Sequence, residues 1–204
     1  MARGWIKICG MTSEAAVAAA LAAGVDAIGF VFAPSVRQLS TARARELALP
    51  ARDRVRCIAV TQHPSQALVD DIIQVFRPDV LQTDIGDFAG LRLPDALPRL
   101  PVLRTGETMA PGNKLPALLL FEGPRSGTGQ TSDWEAAAAL AHQTRLLLAG
   151  GLHQHNVAAA IARVQPHGVD TSSGVEERPG IKDPIKIAAF VSAARAAFAN
   201  MEQT

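Results

Sequence analysis

The sequence predicts an α/β protein: a single compact (β/α)8 barrel of the TIM type spanning residues 1–204. Three observations carry this. Short apolar runs rich in β-formers recur along the chain, Ala/Leu-rich stretches with helical spacing separate most of them, and the runs number eight. Near-continuous apolar strands alternating with helices indicate a parallel sheet covered on both faces. Eight such strands favour closure into a barrel over an open doubly wound sheet. At 204 residues and 48% hydrophobic, the chain can fill one substantial core, in a barrel smaller than the ~250 residues usual for the fold.

In order, the strands are expected at Ile6–Cys9, Ala27–Phe32, Val55–Val60, Val80–Gln82, Val102–Arg104, Leu118–Phe121, Leu146–Ala149 and Val169–Ser172. Helical spacing marks Ala15–Ala23, Ala42–Leu49, Leu68–Phe76, Glu135–His142, Val157–Val164 and Ile185–Phe198. Thr12 and Ser40 are placed to cap the first two helices, Ser132-Asp-Trp-Glu135 fits a capping box, and Asp183-Pro184 fits an N-cap followed by proline at the first helical position. After Asp84 and after Arg104 the periodic apolar residues thin out, so the fourth and fifth helices should be short or irregular. Pro94–Pro101 reads as a local loop.

Charge and cysteine usage narrow the function. A net charge of +1 gives no field that favours nucleic acid or an anionic membrane. No run approaches the ~18 apolar residues of a membrane span. Two cysteines far apart, Cys9 and Cys57, make no disulfide framework, which points to a reducing cytoplasm.

In barrels of this kind chemistry sits at the C-terminal ends of the strands. That selects Cys9-Gly10, Ser35/Arg37, Thr83/Asp84, Glu122 with the loop to Gly129, Gly150-Gly151 and Asp170–Gly174. Gly150-Gly151 follows the seventh strand and Ser172-Ser173-Gly174 the eighth. A glycine pair alone is no more than a turn, but both groups at these two strand ends suit backbone N–H binding of phosphate. Cys9 has two readings on the residues alone: a buried structural thiol, or a base or nucleophile with Lys7 two residues back on the same strand face, a cation that favours thiolate. Arg37 is either a solvated loop arginine or a bidentate grip on a carboxylate. Glu122 is either a surface strand-end residue or, among apolar neighbours, an acid with a raised pKa. Cys57, in mid-strand, belongs to the core. His153, His155 and His167 lack metal-ligand spacing, and no metal is expected.

Several of these segments resemble one family. Lys7-Ile-Cys-Gly-Met-Thr12, Ala22-Ala-Gly-Val-Asp-Ala-Ile-Gly-Phe-Val-Phe32 with Arg37 behind it, Leu148-Ala-Gly-Gly-Leu152 with Asn156-Val157, and Gly168-Val-Asp-Thr-Ser-Ser-Gly-Val-Glu176 with Pro179-Gly-Ile-Lys-Asp183 are similar to blocks of phosphoribosylanthranilate isomerase, an enzyme of tryptophan biosynthesis. The resemblance spans essentially the whole chain. It implies a cofactor-free Amadori rearrangement of N-(5-phosphoribosyl)anthranilate to 1-(2-carboxyphenylamino)-1-deoxyribulose 5-phosphate by a monomer or homodimer. By motif match Cys9 falls on the base and Arg37 on the holder of the aryl carboxylate. Lys7, Gly127, Gly129, Gly150, Gly151, Asp170, Ser172, Ser173 and Gly174 complete the expected substrate-binding set.

The departures fall on the general acid. The family ends strand six in Leu-Leu-Asp and continues into a longer loop; this chain has Leu118-Leu-Leu-Phe-Glu122 and then Ser126-Gly-Thr-Gly129. Aligning Pro116 with the proline often preceding that strand puts the family aspartate at Leu120. Glu122, two residues on, shares its strand face and is the expected acid. Asp84 stands where the family has histidine and is the reserve candidate; Asp133 reads as structural. The alternatives to an active isomerase are a non-catalytic phosphate-binding barrel and an isomerase of another sugar phosphate.

Overall fold

A computed structural model describes residues 4–107, 114–124 and 131–201. Eight parallel strands close a barrel in sequence order: β1 (Trp5–Cys9), β2 (Ala27–Val31), β3 (Arg56–Val60), β4 (Val80–Asp84), β5 (Arg99–Arg104), β6 (Leu118–Glu122), β7 (Arg145–Leu148) and β8 (Gly168–Thr171), with β8 pairing back onto β1. Side chains alternate across the barrel wall. Trp5, Ala27, Ile58, Val80, Leu100, Val102, Leu120, Leu147 and Ala149 form the apolar interior of the barrel. The outward set, including Ile6, Ile8, Phe30, Leu81, Leu119 and Leu146, packs under the helices. The C-terminal ends of the inward rows are polar: Cys9 on β1, Gln82 and Asp84 on β4, Arg104 on β5, Glu122 on β6 and Asp170 on β8. This parity creates the site.

The helices are α1 (Glu14–Ala23), α2 (Thr41–Ala48), α3 (Gln66–Asp71), α4 (Trp134–Ala141), α5 (Val157–Val164) and α6 (Pro184–Met201). α3 runs on as a π segment over Ile72–Phe76. As expected, a 3-10 turn at Ile85–Ala89 replaces a full helix after β4. Ser40 caps α2 and Asp183 accepts from Ile185 and Lys186 at the start of α6. Two other caps differ by one residue. Ser13, not Thr12, accepts from Ala16, because Thr12 instead donates to the Gly180 carbonyl at 2.7 Å. Asp133, not Ser132, takes the first-turn N–H groups of α4, and the Ser132 side chain is turned inward and buried.

Part of the expected Pro94–Pro101 loop is strand. β5 begins at Arg99, and Pro101 sits opposite Thr83 in register. Proline is an unfavourable strand residue and hides this start. A short antiparallel hairpin, β9 (Glu176–Arg178) with β10 (Ile181–Lys182), stands between β8 and α6 and has no counterpart in the expected elements. Among the described residues no helix is long and apolar enough to cross a membrane.

Candidate active site

A cavity of about 310 Å³ opens at the C-terminal mouth of the barrel. Cys9, Arg37, Glu122, Gly150, Gly151, Asp170, Ser172 and Ser173 all line it, together with Gln82 and Arg104. Eight of the expected site residues therefore meet in one place. Gly127 and Gly129 lie outside the described residues.

Cys9 ends β1, only 8% exposed, with its thiol in the cavity wall. Gly29 on β2 makes room for it: a Cβ there would lie 3.0 Å from Cys9 Sγ and 3.3 Å from Lys7 Cε. Lys7 lies one layer below, fully buried, and donates to Asp170 Oδ2 at 2.9 Å. Lys7 does not line the cavity, so its contact is with the thiol and Asp170 from beneath. Burial would lower the Lys7 ammonium, but the carboxylate of Asp170 overcomes this and raises it. For Cys9, of the two readings the residues left open, the balance goes against the thiolate that Lys7 favours. Burial pushes the thiol up, and Lys7 only partly offsets that. Inside the barrel wall, desolvation of the thiolate, with the Asp170 carboxylate nearby, outweighs the Lys7 and Lys182 cations. Cys57 is core as expected, and burial has it pushed up to about 11.

Arg37 is not a solvated arginine. It is 8% exposed and forked onto Glu176, with Nε donating to Oε1 at 2.6 Å and Nη2 to Oε2 at 2.8 Å. These hydrogen bonds hold the guanidinium above its usual range. Gly10, at φ +78, lets the chain turn sharply past Arg37; a Cβ there would sit 2.5 Å from Arg37 Cδ.

Glu122 is half-buried and its surroundings are polar, which corrects the apolar setting expected for it. Arg104 Nη2 lies 3.1 Å from Glu122 Oε1, and Arg104 Nη1 lies 2.5 Å from Asp84 Oδ1. Leu120, on the same inward row, is part of the barrel core. Asp84 is buried and is not a cavity-lining residue; it bridges Arg104 and His63, whose Nε2 is 3.4 Å away. His63 in turn binds Asp87 through Nδ1 at 2.8 Å. Among the described residues His63, Asp84 and Asp87 are the one group with metal-like spacing. The Arg104 guanidinium pairs with Asp84 there, and the cluster links the segments that follow β3 and β4 to the end of β5. Thr83 faces outward, donating to Asp87 at 2.6 Å.

The loops after β7 and β8 are tied to each other. Gly150 (φ +93) and Gly151 (φ +63) turn the first loop in a conformation that suits glycine. The Asn156 amide donates to the Gly151 carbonyl at 2.9 Å, and Thr171 Oγ1 donates to the Leu152 carbonyl at 2.6 Å. Gly174 is not in the cavity lining. It packs on Leu152, where a Cβ would come within 1.9 Å of the carbonyl oxygen.

Sequence reasoning missed Gln82, Arg104, Glu176 and Lys182 as site residues. For the first two the available signal was polar residues at the inward parity of otherwise apolar strands (Val80, Gln82, Asp84; Leu100, Val102, Arg104). Glu176 and Lys182 fall inside segments already similar to the family, but residue order does not show that Glu176 meets Arg37, which lies 139 residues away along the chain.

Fold and site together define a (β/α)8 barrel whose mouth carries a thiol, carboxyl groups and two guanidinium groups beside glycine-rich loops. The family follows from comparison with known sequences. The sequence model of the N-(5'phosphoribosyl)anthranilate (PRA) isomerase family matches residues 6–193, and the chain belongs to that family. The N-(5'-phosphoribosyl)anthranilate isomerase of Bradyrhizobium sp. (strain BTAi1 / ATCC BAA-1182) is 37% identical over 210 residues, covering 94% of this chain and 95% of its own. Among solved structures, TrpF from Jonesia denitrificans is 38% identical with a TM-score of 0.78, covering 95% of this chain and 97% of its own. The phosphoribosyl anthranilate isomerase from Thermus thermophilus reaches a TM-score of 0.81 at 27% identity, covering 94% and 98%.

Proposed function

We propose that this chain, acting as one barrel domain, isomerises N-(5-phosphoribosyl)anthranilate to 1-(2-carboxyphenylamino)-1-deoxyribulose 5-phosphate in tryptophan biosynthesis, with Cys9 as base and Glu122 as acid. The observation that carries the reading is the convergence of Cys9, Arg37, Glu122 and both glycine/serine loops on one cavity. The substrate has an anion at each end. Phosphate suits the N–H groups of the Gly150-Gly151 and Ser172-Ser173 turns. The aryl carboxylate suits Arg37, whose Nη1 is not used by Glu176. With both ends held, the ribose spans the space between β1 and β6, where the two titratable groups stand.

Glu122 delivers a proton to the ribose ring oxygen while the amine nitrogen forms the C1=N bond, which opens the ring. The resulting Schiff-base cation acidifies the C2 proton, which Cys9 removes as thiolate. The enolamine then loses its hydroxyl proton and regains one at C1, so the sum is an isomerisation without redox partner or cofactor. Positive charge on the Schiff base also helps a buried thiolate form when it is needed. Arg104, between Asp84 and Glu122, orients the Glu122 carboxyl group toward the cavity.

The test is turnover. Phosphoribosylanthranilate is generated in situ from anthranilate and phosphoribosyl pyrophosphate, and its fluorescence decay is followed. Decay well above the uncatalysed background is expected, and its absence in folded protein overturns the isomerase reading in favour of a binding barrel.

A further inference from the structure

The two proposed grips on the substrate are mechanically joined by a hairpin that the mechanism itself does not use. Glu176 on β9 is buried between two cations from different elements. It takes the Arg37 fork on both oxygens, and its Oε1 also accepts from Lys182 Nζ at 2.8 Å. Lys182, on β10 with a fully buried side chain, donates onward to the Ser172 carbonyl at 2.9 Å and to Ser172 Oγ at 3.2 Å. Ser172 Oγ donates to the carbonyl of Cys9 at 3.0 Å. One carboxylate thus stands between the carboxylate grip, the phosphate turn and the backbone of the base.

We infer that Glu176 and Lys182 are positioning residues, a brace in the β9–β10 hairpin that sets the separation of Arg37 and the Ser172 turn to match the two anions of the substrate. This rests on the reading that Arg37 holds the aryl carboxylate and the β7 and β8 loops hold phosphate. The physical case is that a buried ion cluster is a poor source of stability, because desolvation consumes most of its attraction. Its value lies in geometry. A bidentate carboxylate fixes both the position and the plane of a guanidinium, which a single contact does not. The cluster also keeps one net positive charge, from Arg37 and Lys182 against Glu176, beside a cavity meant for anions. Burial lowers the Lys182 ammonium while Glu176 supports it, so the lysine depends on the brace as much as the brace on the lysine.

The experiment is steady-state kinetics with phosphoribosylanthranilate on wild type, Arg37→Met, Glu176→Asp, Glu176→Gln and the double variant Glu176→Gln/Lys182→Met. The double variant preserves the net charge of the cluster, which protects folding, and thermal melts check it. Misplacing a binding group by about 1 Å costs up to ~100-fold, so KM should rise about 10- to 100-fold in the double variant while kcat falls far less. Glu176→Asp should lie between wild type and Glu176→Gln, and inhibition by inorganic phosphate should weaken in the double variant. If Arg37→Met raises KM but the folded double variant leaves it unchanged, the brace is wrong and the grip stands. A fall in kcat with KM unchanged also overturns the brace. If Arg37→Met leaves KM unchanged, the grip fails and the brace with it. If the double variant does not fold, Glu176→Asp decides on the same criterion.

Discussion

Replacing the Cys9 thiol by a hydroxyl is the sharpest probe of the proposed chemistry. In Cys9→Ser the shape is nearly kept, but the group becomes far less acidic. A positioned base contributes about 10²- to 10⁴-fold, or roughly 2.7–5.4 kcal/mol at ~1.36 kcal/mol per decade. The structure favours the upper end. Among the described residues only Glu122 and Asp170 bring carboxyl groups to the cavity wall, and Asp170 is committed to Lys7 at 2.9 Å. Stability should fall by only about 1–3 kcal/mol for a poorly partnered buried hydroxyl, a melting shift small enough to assay folded protein at 25 °C. The assay is fluorescence decay of phosphoribosylanthranilate, with far-UV circular dichroism as the folding check. A kcat/KM within about tenfold of wild type in folded Cys9→Ser would refute the thiol as base.

The two candidate acids separate by substitution: Glu122→Gln should lose at least ~100-fold in kcat and Asp84→Asn under ~10-fold, measured in the same assay. The reverse order would assign the acid to Asp84. Because burial raises the Cys9 thiol, its thiolate fraction grows with pH up to a folded value above the ordinary one. The kcat/KM profile should therefore still be rising at the ordinary thiol value of about 8.5 unless the acid limb intervenes; an ascending limb complete below neutrality contradicts the assignment. Gly29→Ala adds a Cβ 3.0 Å from Cys9 Sγ. A displacement of a few tenths of an ångström should cost about tenfold in kcat; the Cβ also meets the Cys9 Cα at 3.3 Å, so a melting curve checks that the variant is folded, and wild-type kcat would show that thiol placement is not critical.

The sequence by itself determined the barrel and most of its mouth. Alternating apolar periods depend only on local residue order, so all eight strands and the six helices were readable, and the thinning after Asp84 marked the missing helix. Strand ends in a closed barrel must face one cavity, which made Cys9, Glu122 and the glycine pair readable as a set. The errors were local competitions: Ser13 displaced Thr12 as a cap because Thr12 found the Gly180 carbonyl, and Pro101 masked the start of β5.

Only the tertiary structure decided the electrostatics. Whether Lys7 could activate Cys9 depended on the desolvation of the thiol, which no spacing encodes, and burial won. Whether Glu122 sat among apolar groups depended on Arg104 from the neighbouring strand, 18 residues away along the chain. The partner of Arg37 lies 139 residues further on, in a hairpin too short to leave a periodic signal. Charge pairing and burial are set by which distant segments the barrel brings side by side, and that information exists only once the chain has closed.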